Sequence, residues 1–151
     1  MAKIKTNSFT KKYKYIARSI KTSCEISEGF EADVPADKYA KFEKADALWD
    51  TGATNTCISN QLAEKLNLVP IGFEEMHHAN GLSIVPTYLI NILLSEEIGF
   101  SLIYVLGCDL HEDIDALIGM DIISQGDFAI SNFEGNTYFS FRTPSMQNIN
   151  F

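Results

Sequence analysis

Ala47-Leu48-Trp49-Asp50-Thr51-Gly52-Ala53-Thr54 is the stretch that decides the reading of this 151-residue chain. Phe42 to Trp49 has the apolar character of a strand rising into Asp50. Thr51 and Gly52 then turn the chain sharply. Glycine lets a second backbone approach closely, and the threonine hydroxyl can lock a turn by hydrogen bonding. The pattern therefore holds a carboxylate on a tight turn above a core. Asp-Thr-Gly alone is weak evidence: nine copies of each residue in 151 positions give roughly 0.03 chance matches. Its context carries more weight. A hairpin signal, Asn80-Gly81, follows it, and a second apolar element ending in glycine arrives at Leu117-Ile118-Gly119.

Working outward, Tyr13 to Ile26 reads as extended, because Tyr, Ile and Thr suit a pleated surface better than a helix. Gly29, Pro35 and the polar residues between them mark a loop. Ser59 or Asn60 can cap a short helix from Gln61 to Leu66. Met76 to Leu94 reads as a β-hairpin with a type I′ turn at Asn80-Gly81. Pro86 restricts its return arm to an exposed or edge position. Further strands cover Phe100 to Leu106 and Ala116 to Ile118, and Met120 to Ser124 holds about one helical turn. Phe128 to Ile130 and Tyr138 to Phe141 form a last hairpin around Glu134-Gly135-Asn136. Many short strands with one or two short helices make the chain all-β.

The length suits one domain. Residues 1–21 carry +7 and the other 130 carry −15, giving the net charge of −8. An acidic body repels phosphate backbones, so no nucleic-acid partner is expected. No apolar run reaches the length of a membrane span, so no membrane partner is expected either. Cys24, Cys57 and Cys108 have no metal-binding spacing and read as reduced thiols in a cytoplasmic protein. His77 and His78 are adjacent, so on a strand they point to opposite faces and cannot share one metal. The acidic run 109–115 lacks the glycine and spacing of a calcium loop. No metal and no cofactor are expected.

Residues 47–54, the hairpin at Asn80-Gly81 and Ala116-Leu117-Ile118-Gly119-Met120-Asp121-Ile122-Ile123 together resemble the retropepsin-like, or retroviral-type, aspartic protease family. The match runs in order over about residues 20–132. The resemblance implies a single-lobe acid-protease β-barrel with a flap hairpin, acting as a homodimeric aspartic endopeptidase on extended polypeptide. Physical chemistry asks for the same assembly, since the reaction needs two carboxylates sharing one proton and this chain has one Asp-Thr-Gly.

By that resemblance Asp50 is catalytic, and Thr51 and Gly52 form the active-site turn. Ala53, Thr54, the flap residues Asn80, Gly81 and Leu82, and Ile118 bind substrate. Leu117 and Gly119 support the turn from below. The implied organisation is a basic arm over 1–19, a protease domain over 20–145 and a tail over 146–151. Two departures matter. Retroviral members carry an Asp where Thr54 stands and an Arg where Met120 stands, and they end near Asn132. The chain continues past that point, so the dimer sheet is expected to recruit 138–141, and the basic arm to lie along the partner's acidic body. Two other readings stand beside this one: an inactive retropepsin-like dimer that binds extended peptides, and a generic β-barrel interaction protein.

Overall fold

The period-2 alternation of β2 and β3 sets up the core. Thr22, Cys24 and Ile26 point inward from β2 (Lys21–Glu28) while Ser23 and Glu25 face solvent. Ala45, Ala47 and Trp49 do the same from β3 (Glu43–Trp49). Small and β-branched side chains on alternate positions let one face pack while the other stays wet.

The computed structural model describes residues 5–31, 33 and 41–151. The remaining elements are β1 (Asn7–Tyr13), β4 (Cys57–Ser59), α1 (Asn60–Lys65), β5 (Gly72–His78), β6 (Gly81–Ser95), β7 (Ile98–Cys108), β8 (Ala116–Ile118), α2 (Met120–Ile123), β9 (Asp127–Phe133) and β10 (Asn136–Thr143). The chain is all-β, as its strand-rich pattern implies. Strands β2-β3-β8-β4-β7-β6 form a ring that closes through β2–β6 pairing, and β5 extends it beyond β6. Closure removes the open edges a small sheet would otherwise expose. Ile26, Ala47, Ile58, Ile90, Ile92, Val105, Ala116, Ile118 and Ile122 are all fully buried inside.

A second layer, the three-stranded sheet β1-β10-β9, packs against β3. Its inward face brings Phe139, Phe141 and Phe128 around Trp49, with ring centroids 4.8, 5.1 and 5.9 Å away. The Trp49 indole N–H donates to Thr22 Oγ1 at 2.9 Å, so the buried ring leaves no orphaned donor. Aromatic pairs of this kind contribute about 0.5–1.5 kcal/mol each beyond burial. The residue before Asp50 is thereby held in a cluster of aromatic rings.

Several expectations are revised. The extended stretch from Tyr13 to Ile26 is broken at 14–20, where the chain crosses from one sheet to the other. No Gly or Pro marks that break. Tertiary hydrogen bonds hold it, Thr137 N–H to Tyr15 C=O at 3.0 Å and Ala17 N–H to Thr137 Oγ1 at 2.9 Å. Residues 7–13 of the basic segment pair with β10 of the same chain. The strand 138–141 is the middle of its sheet, flanked by β1 and β9, so its backbone offers no edge to a partner. Of the loop expected between Gly29 and Pro35, residues 29–31 and 33 are described and belong to no strand or helix; 32, 34 and 35 lie outside the described residues.

Candidate active site

Parallel pairing of β3 with β8 builds the site. It sets Trp49 opposite Ile118, so Asp50 and Gly119 emerge together at the same end of the barrel. Asp50 N–H donates to Ile118 C=O at 3.0 Å. The turn then closes on itself: Gly52 N–H donates to Asp50 Oδ1 at 2.8 Å, and Ala53 N–H to Asp50 C=O at 3.2 Å. A carboxylate that accepts a backbone N–H is fixed in direction before any ligand arrives. Asp50 is half-buried, while Thr51 and Gly52 are exposed.

Gly119 sits directly under this turn. A Cβ placed there would meet the Asn55 carbonyl carbon and oxygen at 2.7 Å and Ala53 O at 3.0 Å. These are backbone atoms that cannot swing aside, so only glycine fits. Met120 N–H donates to Ala53 C=O at 2.8 Å and Asp121 N–H to Thr54 C=O at 3.2 Å, tying α2 to the turn.

Thr54 and Met120 cannot form the ion pair of the retroviral pattern, and a different clamp lies beside them. Asp121 accepts from Thr56 N–H at 3.0 Å and from the Thr56 hydroxyl at 2.7 Å. It also accepts from Ile122 N–H at 3.0 Å. The fully buried Thr56 hydroxyl in turn accepts from Gly119 N–H at 3.1 Å. One carboxylate thus joins the segment after the Asp50 turn, the Gly119 element and the start of α2. Sequence reasoning missed Thr56 and Asp121 as site residues. A signal existed, an acid directly after Ile118-Gly119-Met120 and a threonine two residues beyond Thr54, but neither type is diagnostic alone.

Ile118, expected beside a subsite, is fully buried in the core. Leu117, expected as support, is the half-exposed side chain of β8. Alternation on a strand allows only one of the two to face outward.

The β5–β6 hairpin is also adjusted at its tip. His78 pairs with Gly81, so Ala79 and Asn80 form the turn and only Gly81, at φ +125°, takes positive φ. That is a two-residue turn at Ala79-Asn80 with positive φ at neither central residue, not a type I′ turn at Asn80-Gly81. Asn80, Gly81 and Leu82 are exposed. The β6–β7 ladder covers Thr87 and beyond, so at Pro86 strand β6 is paired only with β5, where a missing N–H costs nothing. At the hairpin's root Met76 and Val85 pack on Leu106 and Cys108. The Cys57 thiol donates to Asn55 C=O at 3.8 Å and the Cys108 thiol to Met76 Sδ at 3.9 Å; the interaction between the two neighbouring thiols raises the pKa of Cys57 and lowers that of Cys108.

A hollow of about 360 Å³ opens beside Asp50 and Thr51, walled by Arg18, Trp49, Phe128 and Ile130 among others. Among the described residues no group of three or more His, Cys, Asp or Glu is placed to hold a metal ion. No helix among them is long and apolar enough to cross a membrane.

Residues 41–125 match the sequence profile described as "gag-polyprotein putative aspartyl protease", which spans more than half of the chain and contains the whole Asp50 turn. The chain belongs to this family. It is a retropepsin-like member by fold as well. A retropepsin-like aspartic protease from Rickettsia conorii, known from a crystal structure, aligns over 95% of this chain and 99% of its own, with a TM-score of 0.53 at 14% identity. A weaker likeness is to the simian foamy virus (mac) protease in solution, over 68% of this chain and 89% of its own, with a TM-score of 0.44 at 19% identity. No curated protein sequence matches significantly. The retropepsin-like barrel is therefore shared with a Rickettsia protein whose sequence has diverged widely.

Proposed function

We propose that the chain is an aspartic endopeptidase whose active site forms when two copies bring their Asp50 side chains together. One observation carries the reading. Asp50 is presented on a rigid turn, half-open to solvent, with one oxygen already engaged by Gly52 N–H. The chain has no second Asp-Thr-Gly to complete a dyad.

Two carboxylates about 3 Å apart cannot both ionise readily, so the pair holds one proton and titrates as a unit. The ionised Asp50 takes a proton from a water whose oxygen attacks the scissile carbonyl carbon. The protonated Asp50 of the partner donates its proton to the carbonyl oxygen, giving a neutral tetrahedral diol. Collapse re-forms the carbonyl and breaks the C–N bond, with the departing nitrogen taking a proton from the dyad. In this scheme Thr51 links the two turns, and the Gly52 backbone accepts from the substrate backbone. Ala53, Thr54 and Leu117 line subsites, and Asn80, Gly81 and Leu82 close over an extended peptide. Ile118 and Gly119 hold the turn from below. Three unpaired cysteines suit a reducing, cytoplasm-like compartment.

The test is cleavage of an unfolded protein at acidic to neutral pH by wild type and by Asp50→Asn. The reading expects turnover that falls per chain on dilution and is lost in Asp50→Asn with the fold intact. A folded Asp50→Asn protein that cleaves at the wild-type rate overturns it.

A further inference from the structure

We infer that a second copy of this chain docks along β9, pairing its own β9 antiparallel about a two-fold axis at Ile130. The result is one six-stranded sheet beneath both Asp50 turns. This inference rests on the dimeric reading above and adds where the two copies meet.

The three-stranded sheet has two edges, β1 and β9. They differ in the features that protect an edge. β1 carries Lys11 and Lys12, and Lys14 follows it, a pattern that discourages strand addition. From Phe128 to Phe133, β9 has no charged residue at all. Ile130 is 45% and Phe133 63% exposed. An uncharged, apolar, exposed edge is what a strand partner would cover.

The backbone phase of β9 is fixed by its hairpin. Thr137 lies opposite Asn132, yet its N–H donates to Tyr15 C=O on the other side. Thr137–Asn132 is therefore a non-hydrogen-bonded pair, and the ladder alternates from there. Phe133, Ser131 and Ala129 exchange bonds with β10. Asn132, Ile130 and Phe128 turn their N–H and C=O groups outward, where no strand among the described residues lies. The side chains of these same three residues wall the hollow that contains Asp50 and Thr51.

Symmetry supplies the last step. Two identical antiparallel strands in one sheet are related by a two-fold axis perpendicular to it, so both copies present the same face on the same side. Pairing Ile130 with the Ile130 of the partner subunit, and Phe128 with the partner's Asn132, uses the outward rungs for about six interchain hydrogen bonds. It sets the two Asp50 turns on one face, flanking the axis. Pairing through β1 would leave a whole three-stranded sheet between Asp50 and the axis. A second copy is the occupant the site itself requires, because the dyad is incomplete without one.

The experiment combines sedimentation with hydrogen exchange on the full chain. The amides of Phe128, Ile130 and Asn132 should become protected as concentration rises through the dimer dissociation constant. Ile130→Pro removes one outward N–H per chain and no bond to β10, and should raise that constant on the order of 30-fold or more. Ile130→Val should leave it near wild type. If the protein dimerises and cleaves but these amides stay unprotected, the copies meet elsewhere. The docking inference then falls while the protease reading stands. The exchange measurement decides this on wild type even if Ile130→Pro fails to fold. If no dimer forms at any concentration, both fall.

Discussion

Removing the Asp121 carboxylate tests whether the clamp beneath the active-site turn holds it in place. In Asp121→Ala the Thr56 N–H and hydroxyl lose their acceptors, at 3.0 and 2.7 Å, and Thr56 is fully buried. Ile122 N–H still reaches Gly119 C=O at 3.2 Å, so it adds little. Two orphaned buried donors at about 1–2 kcal/mol each give a loss of roughly 2–4 kcal/mol. For a chain of this size that lowers the unfolding midpoint by about 5–15 °C. Asp121→Asn keeps one acceptor oxygen but turns its NH₂ toward a donor, and should lose about half as much. Since Thr56 also holds Gly119 N–H, the Asp50 turn loosens with the clamp. A displacement of about 1 Å at reacting groups can cost about 100-fold in rate. Thermal and urea unfolding measure the first effect, and kcat against KM on a peptide measures the second, with kcat falling more. Asp121→Ala with an unchanged midpoint and unchanged kcat would refute the clamp.

Three further outcomes follow from the same structure. Gly119→Ala should destabilise by about 1–3 kcal/mol in urea, because its Cβ would press on the Asn55 carbonyl at 2.7 Å; a neutral result would mean the turn can relax. Ser145, Arg142 and the Met146 N–H hold the Asp127 carboxyl below its ordinary pKa of 3.8. Its contribution is therefore complete above that value and is lost as pH falls through the lower, folded pKa. Asp127→Asn should lower the unfolding midpoint at pH 6 and converge on wild type near pH 2. Glu43 and Asp113, both drawn down to about 2 by their lysine partners, keep their charge to more acidic pH than ordinary carboxylates. With Cys24 buried and its thiol pushed up to about 12, a maleimide should label it at pH 7.5 only as the chain unfolds. Rapid labelling of Cys24 in the native protein would contradict its burial.

The legible parts of this chain were those fixed by local rules. Asp50-Thr51-Gly52 needs a turn, Leu117-Ile118-Gly119 needs a buried strand ending where a backbone comes close, and Ser59 caps α1 by accepting from Leu62 N–H. Register was harder. Whether Leu117 or Ile118 faces outward depends on the register of β8 with its neighbours, and a shift of one residue exchanges them. The break at 14–20 carries no turn residue because contacts with Thr137, more than a hundred positions away, hold it. The Asp121 clamp was illegible for the same reason: it joins Thr56 to a residue 65 positions on, and each looks ordinary in its own neighbourhood. The same distance hid the place of β10, whose pairing with β1 joins opposite ends of the sequence and leaves β9 at the edge.

The central claim is that one chain holds half of an active site, and subunit mixing tests it most directly. Asp50→Asn chains are added to wild type at concentrations where both are dimeric, and cleavage per wild-type chain is followed after exchange. If each site needs an Asp50 from both chains, an equal mixture should show roughly half the activity per wild-type chain, as random pairing dictates. About nine-fold excess of the variant should leave roughly a tenth. Activity per wild-type chain that stays constant across the titration would contradict the account.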